Sequence, residues 1–173
     1  NVDNTEISED IYYQVIKQKT ATLFEACAVI GAKASKASKQ AIEGARIFGQ
    51  NIGMIFQIRD DIFDYYDSKE IGKPTGNDMV EGKLTLPVIY ALNSTQDVHM
   101  MALAQKVKTG DITPDEIALL VDFTKQSGGI SYAEKKMQEF YAEAISFLDD
   151  YVKDNDIKTA LTAYIDFVIE RKS

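Results

Sequence analysis

The stretch Phe-Gln-Ile-Arg-Asp-Asp-Ile-Phe-Asp-Tyr-Tyr-Asp (residues 56–67) ends the longest apolar-periodic segment of this chain. Apolar residues at helical spacing predict a helix in which Asp60 and Asp64 lie one above the other, with Asp61 beside them. Like charges at this spacing weaken a helix by a few tenths of a kcal/mol, so we expect a positive partner, and a hard divalent cation suits carboxylate oxygens. Mg²⁺ is usually held by one or two carboxylates plus substrate phosphates. The motif therefore predicts a Mg²⁺–diphosphate site, not a closed protein cage.

The period of the apolar residues is helical along nearly the whole chain, and no segment indicates a strand. Two long helices are predicted over residues 7–32, with Gly31 as the stop, and 35–66. Residues 67–84 carry three glycines and a proline and predict a long loop. Further helices are predicted from Thr85 onward, with Pro87 in the first turn, and over residues 95–108, 113–126, 130–152 and 155–171. The fold class is therefore all-α, a helical bundle forming a single domain over residues 1–173.

Two local signals sharpen this prediction. Gly44, Gly49 and Gly53 lie inside the second helix, where each glycine lowers helix propensity by about 1 kcal/mol. We attribute them to close approach by neighbouring helices. Thr113 is the clearest helix start, because Pro114 follows it at the first helical position and Glu116 stands at the capping-box position.

Composition excludes several classes of protein. The chain has 173 residues, and 45% apolar content excludes a disordered chain. A net charge of −8 argues against general affinity for nucleic acid or anionic membranes. Cys27 is the single cysteine, which excludes an internal disulfide and suits a reducing cytoplasm, and we expect it to be buried and inert. No segment has the roughly 20 apolar residues of a transmembrane helix.

A Mg²⁺–diphosphate site also needs cations for the phosphate oxygens that the metal does not contact. The predicted loop supplies Lys69, Lys73 and Lys83, of which the last two are flanked by glycine. The first helix adds Lys19 and Thr20, a cation beside a hydroxyl group. Each signal is weak alone, but their combination in this order is specific.

Together these residues resemble the second aspartate-rich region of the trans-isoprenyl diphosphate synthase (polyprenyl synthetase) family. The matching run is Gly49-Gln-x-x-Gly53, Phe56-Gln57-x-x-Asp60-Asp61-x-x-Asp64, Gly72-Lys73-Pro-x-Gly-x-Asp78 and Glu81-Gly-Lys83-x-Thr85-x-Pro87. Upstream, residues 17–24 resemble that family's lysine–threonine helix, and residues 163–171 resemble the last helix of its long-chain, octaprenyl-type members. The resemblance covers essentially the whole chain and implies the C-terminal part of the isoprenoid synthase fold.

The resemblance implies a role for each matching residue. Asp60 would bind Mg²⁺ directly, and Asp61 and Asp64 would complete the site directly or through water. Three lysines would grip the allylic diphosphate, Thr20 and Gln57 would line the reacting end, and Phe56 would pack near the incoming isopentenyl unit. The lysines are Lys19, Lys73 and Lys83. The implied reaction is head-to-tail condensation of isopentenyl diphosphate with an allylic prenyl diphosphate, and the implied full-length enzyme is a homodimer.

The chain also departs from the family pattern. Members of this family carry a first Asp-Asp-x-x-Asp motif well upstream of the lysine–threonine helix, whereas only 18 residues precede Lys19 here and none forms such a motif. The Asp149-Asp150 pair lacks a third carboxylate and is interpreted as solvated surface. The sequence therefore looks like the C-terminal half of the enzyme, as a fragment expected to lack prenyltransferase activity by itself.

Two other classes remain open. One is a non-catalytic subunit of a heteromeric prenyl synthase, for which a missing half would be natural. The other is an acidic helical interaction module without metal chemistry. A terpene cyclase is disfavoured, because the Gly72-Lys73-Pro74 and Glu81-Gly82-Lys83 segments match chain-elongating enzymes better.

Overall fold

The computed structural model describes residues 7–66 and 75–171, and within these ranges it contains helices and no strand. A π-helical turn (Lys17–Ala21), called the π-turn below, joins the first two helices. The α-helices are α1 (Glu9–Ile16), α2 (Thr22–Ala34), α3 (Lys39–Phe63), α4 (Asn77–Val80), α5 (Leu86–Thr95), α6 (Val98–Thr109), α7 (Pro114–Gln126), α8 (Gly129–Tyr151) and α9 (Asn155–Glu170). The all-α prediction is confirmed. None of the helices in the described ranges is both long and apolar enough to cross a membrane.

The chain divides into two compact units. Unit 1 comprises Asn1–Tyr12, Asp60–Glu134 and Ser173, and unit 2 comprises Tyr13–Arg59 and Lys135–Lys172. Helices α1, α3 and α8 each contribute residues to both units. The prediction of a single domain over the whole chain stays a prediction.

In unit 1, helix α7 packs against α5 and α6. Its apolar side buries Ile117, Leu120 and Val121, since these residues recur at helical spacing. The capping box is confirmed: the Thr113 hydroxyl accepts the Glu116 N–H, and the Glu116 carboxylate accepts the Thr113 N–H. The predicted first-turn position of Pro87 in α5 is confirmed as well.

In unit 2, the three glycines of α3 permit close contacts, as predicted. A Cβ atom on Gly44 would lie 2.7 Å from the Phe147 ring, and one on Gly49 would lie 2.5 Å from the carbonyl oxygen of Phe24. A Cβ on Gly53 would lie 2.4 Å from the Cα of Ala21, in the π-turn. Backbone therefore packs directly against backbone where α3 passes the π-turn.

Three details of the predicted first helix are wrong. It contains the π-turn, and it continues past Gly31 to Ala34, ending where Lys36 adopts a positive φ of 56°. Cys27 is exposed instead of buried. Helix α2 faces α3 with Phe24. The side of α2 that carries Leu23 and Cys27 is therefore exposed, and Leu23 is 69% exposed.

The predicted loop over residues 67–84 is only partly a loop. Residues 77–80 form the short helix α4, which ends before the left-handed Gly82 (φ 78°). Residues 67–74, which include Lys69 and Lys73, lie outside the described residues, so the placement of these two lysines is not part of the structural description.

Candidate metal and diphosphate site

Asp61 is a buried carboxylate with a defined donor in unit 1. Its side chain is 4% exposed, and its Oδ2 accepts the hydroxyl of Tyr12 at 2.6 Å. A buried carboxylate needs such donors, because losing water costs several kcal/mol unless hydrogen bonds replace it. We predicted Asp61 from its position in the motif, but nothing in the sequence indicated Tyr12, which lies 49 residues away.

Asp64 accepts hydrogen bonds from the backbone N–H groups of residues 76–78. Its Oδ1 accepts the N–H of Asn77 and its Oδ2 accepts the N–H of Asp78, both at 3.0 Å. Its carbonyl oxygen also accepts the Gly76 N–H at 2.8 Å. These two side-chain bonds satisfy the first amides of α4, which Gly76 at the N-cap leaves without a side-chain acceptor. Asp64 is thus the reason that a helical turn forms inside the predicted loop.

We predict that Asp64→Ala lowers the free energy of unfolding by about 1–2 kcal/mol, the usual cost of losing a helix cap. Urea unfolding in EDTA, followed by circular dichroism, measures this without any contribution from bound metal. Asp150→Ala is the matched control, since Asp150 is exposed near the end of α8 and its loss should change stability by less than about 0.5 kcal/mol. Equal unfolding midpoints for the two variants would contradict the capping role.

Lys83 is the described loop lysine, and acidic side chains surround it. Its ammonium pairs with the Glu81 carboxylate and lies 3.9 Å from Asp78 Oδ1. The hydrogen bond to Glu81 raises the pKa of Lys83, and the charges of Asp78 and Asp61 raise it further. The lysine is therefore firmly cationic, as a partner for phosphate oxygens must be.

Tyr65 follows the motif and is buried at 2% exposure. Its hydroxyl lies 3.3 Å from the Thr85 hydroxyl oxygen. Burial raises the pKa of Tyr65, the Thr85 contact opposes this, and the charges of Asp61 and Asp64 add to the rise. Tyr65 is accordingly a neutral hydroxyl near the motif, one that carries no charge of its own.

The donors in unit 1 suit a hard cation. Asp60, Asp61 and Asp64 offer carboxylate oxygens, and Asp60 is half-buried in the last turn of α3. Within the described part of the chain, no group of three His, Cys, Asp or Glu side chains converges tightly enough to hold a metal alone. Mg²⁺ needs only one or two carboxylates when water and diphosphate supply the other ligands. The donor set therefore fits Mg²⁺, with Asp60 and Asp61 as the residues that would hold it.

The remaining described candidates lie in unit 2. Lys19 is exposed and Thr20 half-buried, and both belong to the π-turn, a type of turn frequent at functional sites. The Thr20 hydroxyl donates to Gln57 Oε1 at 2.8 Å. This bond joins two residues that we predicted separately, although they are 37 positions apart.

Phe56 has an aromatic and a cationic neighbour in unit 2. Its ring centroid lies 5.7 Å from that of Phe24, and the Arg171 guanidinium carbon lies 4.2 Å above the Phe56 ring. Arg59 helps to place Arg171 by donating to its carbonyl oxygen at 2.9 Å. Arg171 received no role from sequence, because its link to Phe56 spans 115 positions.

The described residues form an all-α fold that carries a paired-aspartate motif and the cationic Lys83, and these features suit the class of metal- and diphosphate-binding proteins. Sequence comparison identifies the family within that class. The family model of polyprenyl synthetase matches residues 1–122, and the chain belongs to this family. The match includes every candidate site residue named above, from Lys19 to Lys83.

The curated relatives that the chain matches are prenyl diphosphate synthases. The short chain isoprenyl diphosphate synthase of Methanothermobacter thermautotrophicus is 31% identical over 171 residues, covering 98% of this chain and 52% of the relative. The geranylgeranyl diphosphate synthase of Sulfolobus acidocaldarius is 31% identical over 172 residues, with the same coverage. The chain thus spans about half the length of the curated relatives it matches.

Solved structures share the fold. Geranylgeranyl pyrophosphate synthase from Bacteroides thetaiotaomicron is 49% identical with a TM-score of 0.92, over 99% of this chain and 56% of that one. Polyprenyl synthase from Caulobacter crescentus, complexed with calcium and isoprenyl diphosphate, is 27% identical with a TM-score of 0.84, over 96% and 51%. The isoprenoid synthase fold expected from the resemblance is therefore confirmed.

Proposed function

We propose that the protein to which this chain belongs is a trans-polyprenyl diphosphate synthase. It condenses isopentenyl diphosphate head to tail with an allylic prenyl diphosphate. The observation that carries the proposal is the family match over residues 1–122, which contains all of the candidate site residues. The buried Asp61, the half-buried Asp60 and the cationic Lys83 in unit 1 support it.

The metal is proposed to be Mg²⁺, held by Asp60 and Asp61. When bound, it would neutralise the charge that develops on the departing diphosphate. Divalent metal use is supported by the Caulobacter crescentus polyprenyl synthase and the Corynebacterium glutamicum geranylgeranyl pyrophosphate synthase, both complexed with calcium and isoprenyl diphosphate.

The chain's own residues would bind and orient the substrates. Lys83, with Lys19 and Lys73, would contact phosphate oxygens, because an ammonium group is a mobile point charge suited to that task. Thr20 and Gln57 would line the reacting end, and the hydrogen bond between them supports this by holding the two side chains together. Phe56 would pack against the isopentenyl unit, and its apolar ring would help to exclude water from the allylic cation.

Assembly and location complete the proposal. The full-length enzyme is proposed to be a homodimer, and Cys27 as the single cysteine is consistent with a reducing cytoplasm. A non-catalytic subunit of a heteromeric synthase and an acidic interaction module are the alternatives. If the chain is an acidic interaction module, Mg²⁺ plus diphosphate should not change its melting temperature. A specific site should raise the melting temperature by mass action.

A calorimetric titration tests the metal site on the 173-residue chain itself. We expect Mg²⁺ plus inorganic diphosphate to give a weak binding heat that Asp60→Ala abolishes, because the proposed site loses its direct carboxylate ligand. Asp150→Ala is the control and should bind as the unchanged chain does. An identical signal from Asp60→Ala and the unchanged chain would reject the site.

A further inference from the structure

A short hydrogen bond joins Tyr12, in α1, to Asp61 of the aspartate motif. At 2.6 Å it lies in the range of charge-assisted O–H···O⁻ bonds, which are about twice as strong as neutral ones. Both side chains are buried, Tyr12 at 7% and Asp61 at 4% exposure. The Tyr12 hydroxyl is therefore directed into the protein, toward the aspartate motif.

The N-terminal segment that carries Tyr12 is fixed within unit 1 by separate contacts. The Tyr132 hydroxyl donates to both carboxylate oxygens of Glu9, at 2.8 and 2.9 Å, and the Tyr132 ring stacks on Tyr90 at 4.0 Å. The Asn93 side chain donates to the carbonyl oxygen of Ile7 at 3.1 Å. Tyr12 is therefore presented to Asp61 from a segment that is held at Ile7 and at Glu9.

We propose that Tyr12 is a positioning residue that fixes the Asp61 carboxylate for cation binding, an inference that rests on the proposed Mg²⁺–diphosphate function. The hydroxyl engages Oδ2 and so fixes the rotation of the carboxylate about its Cβ–Cγ bond. Carboxylates that ligate metals are generally oriented by such outer hydrogen bonds, and removing one typically costs 10–100-fold in metal affinity. Tyr12 would act on the metal only through Asp61.

The test compares Tyr12→Phe with Tyr132→Phe in the 173-residue chain. Each variant loses one tyrosine–carboxylate hydrogen bond of similar length in unit 1, so both should lower the melting temperature. Calorimetric titration with Mg²⁺ in the presence of inorganic diphosphate then separates the roles. We expect the Mg²⁺ dissociation constant to rise about tenfold or more for Tyr12→Phe and by clearly less for Tyr132→Phe, which loosens the N-terminal segment but keeps the hydrogen bond to Asp61.

A double-variant cycle makes the test independent of folding losses. In an Asp61→Asn background, Tyr12→Phe should weaken Mg²⁺ binding no further, because the partner it orients is already gone. Equal Mg²⁺ affinity of Tyr12→Phe and the unchanged chain, or equal losses for both tyrosine variants, would overturn the positioning role. Absence of Mg²⁺ binding by the unchanged chain would instead overturn the proposed function.

Discussion

Gly53→Ala is expected to destabilise the chain by about 3 kcal/mol, at the upper end of overpacking costs. The added methyl group would lie 2.4 Å from the Cα and 2.9 Å from the Cβ of Ala21. Ala21 is fully buried at the end of the π-turn. Because alanine has no rotatable side chain, the clash cannot be relieved by a change of rotamer. Relief requires the π-turn to move away from α3.

Urea unfolding followed by circular dichroism measures this effect, and the chain offers a matched control. Gly31 lies inside α2, and a Cβ placed on it would meet nothing within 4 Å. Gly31→Ala should therefore stabilise the chain by about 0.5–1 kcal/mol, the ordinary gain of alanine over glycine in a helix. The same substitution is expected to have opposite signs at the two sites. Equal effects would show that the Gly53 contact is relieved without cost.

The contrast between Gly53 and Gly31 shows what sequence could predict. Glycines inside a strongly periodic helix indicated close approach, because a propensity cost of about 1 kcal/mol needs compensation. Gly31 carries no such contact, and its interpretation as a helix stop was wrong, since a helix interior tolerates an isolated glycine. The capping box at Thr113 was predicted correctly because all of its signals lie within four residues.

The candidate site was predictable in its residue types but not in its internal bonds. Carboxylates and lysines at motif spacing indicated a cation and a diphosphate. The partners of Asp61 and Asp64, however, are 49 and 13 residues away, and no local spacing rule reports such distances. The π-turn was missed for a related reason: its backbone departs from the helical period where Ala21 meets Gly53, and this contact is tertiary.

The hydrogen bonds of the motif indicate different roles for its three aspartates. Both oxygens of Asp64 accept amides of α4, so this residue organises the segment that leads to Lys83. Asp61 is oriented from within by Tyr12. Asp60 is half-buried in the last turn of α3, and as the proposed direct Mg²⁺ ligand it is the aspartate whose loss should affect chemistry most.

Asp60→Asn is expected to lower kcat for prenyl transfer by about 10²–10³-fold in the whole protein to which this chain belongs. The amide keeps the shape of the side chain and removes its negative charge, so the affinity for Mg²⁺ falls while the helix is retained. Departure of diphosphate then proceeds with less neutralisation of its developing charge. Steady-state rates with an allylic diphosphate and labelled isopentenyl diphosphate measure the loss.

Asp150→Asn makes the same chemical change at an exposed position of α8 and should leave kcat unchanged. Raising the Mg²⁺ concentration should recover part of the rate lost in Asp60→Asn, because a weakened ligand set is still filled by mass action. A loss of rate that is independent of Mg²⁺ would place Asp60 outside the metal site. A kcat equal to that of the unchanged protein would remove Asp60 from the reaction, because a carboxylate that neither binds metal nor contacts diphosphate contributes nothing to the departure of the leaving group.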